Sequence, residues 1–211
     1  MSTPFLVYFA DPMCSWCYGF GPELEALLRE RPQLRVDLVM GGLRAYNTEV
    51  ATPAFRETIA GHWQHVARES GLPFNDAALR REGFVYDTEP ACRAVVAARA
   101  TDATRAFAYL KRVQRAFYAE GRDVTDPEVL ADLAADEGLD RALFLAAHGS
   151  SAALDAVRQD FSATQQTGVT GFPTLAVGYP DGRYFLVTSG FARTSEVAGR
   201  LDRIHELAQI E

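Results

Sequence analysis

The chain has 211 residues, 48% of them hydrophobic, with 28 acidic against 21 basic side chains and a formal net charge of −7. That length buries a substantial core, as one domain or as a small domain carrying an insertion, and the mixed charge is that of a soluble globular protein rather than a disordered one. Excess negative charge argues against general binding to nucleic acid or anionic membrane, and three cysteines are too few for a disulfide scaffold.

Phe5 to Ala10 is an apolar stretch that reads as a strand. It runs into Asp11-Pro12-Met13-Cys14-Ser15-Trp16-Cys17-Tyr18, after which Phe20, Leu24, Leu27 and Leu28 repeat at helical spacing. Pro22 lies inside that helix and predicts a kink, because it cannot donate to the Tyr18 carbonyl. Arg31-Pro32 ends the helix, Leu34 to Met40 reads as a second strand, and Gly41-Gly42 punctuates its exit.

From about Ala45 to Gln166 the signals are helical. Pro53 opens one helix, and Thr88-Glu89-Pro90 opens another that carries Cys92. Phe107, Leu110, Gln114 and Phe117 suit the face of a third. Asp126-Pro127-Glu128 combines a cap, a first-position proline and a first-turn acid; Leu130, Leu133 and Ala134 follow, and Gly138 stops the run. Ser150-Ser151 begins a last helix of this block, with Leu154, Val157 and Phe161 on one face.

Strand character returns at Thr174 to Val177, turns at Tyr179-Pro180-Asp181-Gly182 and continues from Tyr184 to Val187 as a hairpin. Val197, Leu201, Ile204 and Ala208 mark a final amphipathic helix capped by Thr194 or Ser195. The order is β-α-β, a long helical block, then β-β-α.

The cysteine pair carries the chemistry. A helix start presents unpaired N–H groups and a partial positive charge, a setting that favours thiolate over thiol. Cys14 is therefore the candidate nucleophile, exposed at the helix tip, with the more shielded Cys17 close enough to form a disulfide with it. A structural zinc site needs four ligands, and only Cys92 and four histidines remain as soft donors, so no metal is expected. His62 and His65 read as surface residues, and Cys92 reads as a small buried apolar side chain in preference to a further redox partner. Trp16 reads as a cap over the thiols or a substrate contact, whereas Tyr46, Trp63, Phe84 and Tyr86 either line a groove next to the cysteines or, the preferred reading, pack between helices.

A CxxC at a strand-to-helix junction of a βαβ unit resembles the thioredoxin redox motif. With Gly168-Val169-Thr170-Gly171-Phe172-Pro173-Thr174 ahead of the third strand, and a helical block between the two halves, the whole chain resembles the DsbA family of thiol–disulfide oxidoreductases. The Met13-to-Phe20 run and Tyr86-Asp87-Thr88-Glu89-Pro90-Ala91-Cys92-Arg93 are similar to its cytoplasmic, FrnE-like branch of predicted protein disulfide isomerases. The resemblance implies an α/β thioredoxin-like fold over residues 1–44 and 167–211, interrupted by an all-α insertion domain over 45–166. It implies that Cys14 attacks, Cys17 resolves, and a cis Pro173 faces them, with Trp16, Phe172 and Pro173 contacting substrate. Ser15 lies between the thiols and, with Asp11 and Tyr8, would tune the redox centre.

Two positions depart from the family pattern. Relatives often keep a buried carboxylate six residues before the first cysteine, where this chain has Tyr8, and Asp11 is left as a candidate proton acceptor. The residue before the cis proline, often smaller or β-branched, is here Phe172.

The implied partners are protein or peptide disulfides and dithiols, with no bound cofactor and with glutathione as a candidate reductant. Neither nucleic acid nor membrane is expected as a partner. No apolar run approaches the ~18–20 residues of a membrane span. The first basic residue is Arg29, so the positively charged start of a secretion signal is absent and the chain reads as cytoplasmic. In a reducing cytosol, reduction or isomerisation is easier to sustain than net oxidation. Two other readings stand beside this one. Glutathione transferases of the kappa class and 2-hydroxychromene-2-carboxylate isomerases share the architecture but usually carry serine near the first-cysteine position and lack the second cysteine. A non-catalytic peptide-binding module would use the edge beside Pro173 and would not need Cys14.

Overall fold

The computed structural model describes residues 4–208. Phe5–Ala10 forms β1, Ser15–Glu30 α1 and Arg35–Met40 β2. The helical segment follows as α2 (Pro53–Ser70), α3 (Ala77–Arg80), α4 (Glu89–Thr101), α5 (Ala106–Tyr118), α6 (Pro127–Asp136), α7 (Arg141–His148) and α8 (Ser151–Gln166). The chain then completes β3 (Thr174–Gly178), β4 (Tyr184–Ser189) and α9 (Thr194–Ala208).

The strands form one sheet in the order β2-β1-β3-β4. The β1–β2 pair is parallel, as a helical crossover requires, whereas β3 runs antiparallel to both β1 and β4. Side chains alternate across a strand, so Leu6, Tyr8 and Ala10 share a face of β1. All three are fully buried, and the Tyr8 ring packs against Phe20 of α1 at 5.8 Å between centroids. A continuous apolar cluster extends from this face into the helical segment through Cys92, Val95, Tyr109, Phe117 and Leu130.

Local capping chemistry accounts for the helix starts. Thr52 accepts from Phe55 N–H ahead of Pro53, Asp126 from Glu128 N–H ahead of Pro127, and Ser150 from Ala153 N–H. At α4 the Thr88 hydroxyl instead accepts from Arg44 N–H, and Asp87 takes the Glu89 amide. The expected cap at Thr194 or Ser195 is corrected: Thr194 is the first helical residue, and Glu196 reaches back to accept from Arg193 N–H at 3.1 Å. The Thr194 hydroxyl is engaged with Glu23, which fastens α9 to α1. Helix α1 continues through Pro22 from Ser15 to Glu30. The short helices α3 and α7 had no counterpart in the sequence reading; α7 is capped by Asp140, whose carboxylate accepts from Leu143 N–H.

β2 is an edge strand, and the helical segment closes its C-terminal half. Asp160 of α8 accepts from Met40 N–H at 2.9 Å and receives both terminal nitrogens of Arg99 from α4. Arg99 in turn donates to the Leu38 carbonyl. Replacing Asp160 with alanine leaves a guanidinium and an edge amide without their acceptor. The Asp160→Ala variant is expected to lose about 2–3 kcal/mol of stability, less than a fully buried pair because Arg99 is part-exposed, and about 5–10 °C in Tm. A thermal melt within about 2 °C of the parent would contradict that role.

Candidate active site

Beyond β1 the chain turns through Asp11, Pro12 and Met13 and enters α1 at Cys14, its N-cap. Cys14 is extended (φ −96°, ψ 117°) and its side chain does not cap the helix. Its carbonyl accepts from Tyr18 N–H, and its sulfur donates to the Phe172 carbonyl at 3.5 Å. The Phe172–Pro173 peptide is cis, immediately ahead of β3. The loop and the first cysteine therefore face each other, although they lie 158 residues apart in sequence.

Both thiols are buried, Cys14 at 6% exposure and Cys17 at 0%. The expectation of an exposed Cys14 is thus corrected, since the Phe172 carbonyl lies against its sulfur. Burial pushes the Cys17 thiol well above its ordinary value, and the adjacent Cys14 sulfur raises it further. All three cysteines are free. Ser15, the first helical residue, is half-buried. Trp16 is part-buried between His65 of α2, edge-on at 5.4 Å, and Phe191, at 5.7 Å.

Asp11 is fully buried one residue past β1. Its two oxygens accept from Met13 N–H at 2.8 Å and Leu43 N–H at 2.7 Å, and the Cys92 thiol donates to it at 3.5 Å. Burial raises its pKa, against the pull of those amides, of the Thr88 hydroxyl and of the Cys92 thiol. Cys92 is buried in α4, and its own pKa is raised chiefly by burial and by the Asp11 charge. Tyr8 sits fully buried on the α1 side of the sheet, next to the cysteine pair.

Phe172 is seated by Gly41. A Cβ at Gly41 would lie 2.1 Å from the Phe172 ring, so the bulky residue before Pro173 requires a residue without a side chain just after β2. Gly42 adopts φ +65°, and a Cβ there would meet the Phe161 ring at 2.8 Å.

Some contacts escaped the sequence reading. Tyr86 donates to the Met13 carbonyl at 2.5 Å and so holds the turn before Cys14 from beneath. Its partner lies 73 residues away, a separation that leaves no local signal. His65 and Phe191 bracket Trp16 in the same unannounced way. Trp63, Phe84 and Tyr86 form inter-helix packing as expected, whereas Tyr46 is half-exposed at φ +67° and touches Phe161 by its edge. Among the described residues no group of three or more His, Cys, Asp or Glu side chains is placed to hold a metal ion. None of the described helices is long and apolar enough to cross a membrane.

A model of the DSBA-like thioredoxin domain matches residues 6–202. The chain resembles a candidate protein disulfide isomerase from Nitrosomonas europaea, at 35% identity and TM-score 0.90 over 98% of this chain and 99% of that one. It also resembles the cytosolic disulfide reductase DsbM of Pseudomonas aeruginosa, at 32% identity and TM-score 0.78 over 97% of this chain and 99% of that one. A further structure of that reductase is described as being with GSH. The ClpXP adapter protein SpxH of Halalkalibacterium halodurans is 26% identical over 178 residues, 82% of this chain. The chain spans 58% of the length of that curated relative.

The Gly41–Phe172 contact is testable by a double-mutant cycle. Gly41→Ala is expected to lower stability by about 1–3 kcal/mol through overpacking. In a Phe172→Ala background the same change should cost at least about 1 kcal/mol less, because the opposing ring is gone. Additive losses in urea denaturation would show that the two residues do not meet.

Proposed function

Because the chain belongs to the family of the DSBA-like thioredoxin domain, we propose that it is a thiol–disulfide oxidoreductase acting on protein or peptide disulfides, with Cys14 as nucleophile and Cys17 as resolving thiol. The observation that carries this reading is the Cys14 sulfur at the N-cap of α1, in hydrogen-bond contact with the carbonyl that precedes cis Pro173. Cys17 stands one helical turn further in.

In this mechanism the Cys14 thiolate attacks a client disulfide, and one client sulfur leaves as a thiolate. A mixed disulfide joins the other client sulfur to Cys14. Cys17, as thiolate, then attacks the Cys14 sulfur, closing the Cys14–Cys17 disulfide and expelling the second client thiolate. The client is reduced by two electrons and the protein is oxidised by two. Two glutathione thiols return the pair to the dithiol and leave as glutathione disulfide. Holding Cys17 beside the mixed disulfide makes the second step intramolecular, which gives it a high effective concentration. Phe172 and Pro173 would seat the client backbone, and the part-buried Trp16 would form the apolar wall beside it. Ser15 would adjust the balance between thiolate and disulfide from inside the motif.

Reduction is the favoured direction, and a cytoplasmic location the favoured one; both are supported by the likeness to a reductase described as cytosolic. Glutathione as the electron source is supported by the GSH structure of that protein. The presence of both Cys14 and Cys17 favours this chemistry over that of a glutathione transferase or hydroxychromene isomerase. The adapter relatives favour one alternative, a protein-binding role that does not consume the thiols.

Substrate trapping separates these readings. Cys17→Ser is expected to hold Cys14 in mixed disulfides with protein clients that dithiothreitol releases, and Cys14→Ser to abolish both adducts and disulfide reduction. Adducts of glutathione alone would transfer the assignment to a glutathione enzyme. A Cys14→Ser protein that retains its full effect would leave the binding role.

A further inference from the structure

The described residues include two buried side-chain polar atoms without a hydrogen-bond partner, Gln114 Nε2 and Tyr8 Oη. The second lies in the site. Tyr8 is central in β1, paired with Leu38 on one side and Leu175 on the other, and is fully buried on the face that α1 covers. Its ring packs on Phe20 at 5.8 Å and on Phe107 at 6.4 Å. Phe20 lies three residues after Cys17, so the two share the face of α1 that packs on Tyr8 through Phe20. Cys17 is the ionisable group with which the phenol interacts most strongly, and Cys14 is the next.

A buried hydroxyl without a partner is disfavoured, because its lost hydration is not replaced. Its persistence is explained if the partner is transient. We propose that Tyr8 is a positioning residue for Cys17, its phenol donating a hydrogen bond to the Cys17 sulfur while that sulfur is a thiolate. The inference rests on the reading of Cys17 as the resolving thiol. In the resolving step the Cys17 thiol loses its proton, its sulfur bonds to the Cys14 sulfur, and the departing client thiolate takes up a proton. The phenol keeps its own proton throughout and supplies only the hydrogen bond. Burial opposes a charged Cys17, so the donor acts where that charge has to form. The other titratable groups facing Cys17 are Cys14 and Asp11, and both oppose a second negative charge there. Tyr86 and Tyr118, from the helical segment, face Cys14 and Asp11.

The test uses the reduced full chain and a chromogenic bis(thionitrobenzoate) disulfide. The first thionitrobenzoate released reports attack by Cys14, and the second reports resolution by Cys17. Tyr8→Phe removes only an oxygen that has no partner in the fold and keeps the packed ring. The first phase should be unchanged. The second should slow about three- to tenfold near pH 7, as a hydrogen bond to a charged group is lost and the less acidic thiolate regains part of the rate through its greater nucleophilicity. The deficit should narrow as pH rises, because at high pH Cys17 is ionised with or without the donor. Tyr109→Phe, which removes a buried hydroxyl bonded to Leu130 in the helical segment, should alter neither phase. An unchanged second phase, a deficit independent of pH, or an equal deficit in Tyr109→Phe would overturn the inference. Absence of the first phase from the parent chain would instead overturn the reading of the site as well.

Discussion

The buried carboxylate of Asp11 is the tie on which the site depends. It stands where β1 has ended and α1 has not begun, a point at which the backbone could leave in many directions. One oxygen takes the amide of Met13 and thereby shapes the turn that delivers Cys14 to the helix N-cap. The other takes the amide of Leu43, so the exit from β2 is fixed to the entry of α1. The Cys92 thiol adds α4 to the same point. A carboxylate removed from water is costly unless its oxygens are occupied, and here each accepts a backbone donor. The same group therefore organises three chain segments and places a polar centre at the turn that leads into Cys14.

Once the exit from β2 is fixed, Gly41 and Gly42 fall where two aromatic rings have to fit. Gly41 receives the Phe172 ring, and the carbonyl of Phe172 is then within reach of the Cys14 sulfur. Gly42 receives the ring of Phe161 from α8, the helix whose Asp160 closes the edge of β2. The two glycines thus link the loop that faces the thiols to the helical segment that braces the sheet. A large residue before Pro173 is compatible with the fold because its opposite wall has no side chain.

Features set by neighbours in the chain were legible in the sequence. The cysteine pair at a strand-to-helix junction, the Asp126-Pro127-Glu128 start and the Tyr179–Gly182 turn, closed by Gly182 N–H on the Tyr179 carbonyl, all rest on contacts within a few residues. Contacts that bind distant segments were not legible. The sequence singled out Asp11 and Gly41-Gly42 without revealing the amide of Leu43 or the ring of Phe172. Nor could it reveal that a carbonyl 158 residues away would lie against Cys14, which is why a helix-tip cysteine read as exposed is buried. Helix α7 escaped for a related reason: over its eight residues only Phe144 and His148 are buried, too few to make a periodic pattern.

The environment of Cys17 bears on both directions of exchange. A thiol attacks in proportion to its thiolate fraction, and as a leaving group it departs faster when its thiolate is stable. If Cys17 is the resolving thiol, as proposed, burial that discourages its charge slows resolution of a mixed disulfide and also slows opening of a Cys14–Cys17 disulfide by attack at Cys14. Cys14 is placed differently: it is the N-cap of α1, and its sulfur lies against the Phe172 carbonyl. The two sulfurs thus have different surroundings although they stand on one helix. The polar groups near Cys17 include the Tyr8 phenol from β1 and the Asp11 carboxylate from the turn ahead of α1. A family that places a carboxylate at the strand position supplies negative charge there, whereas a phenol supplies a neutral donor.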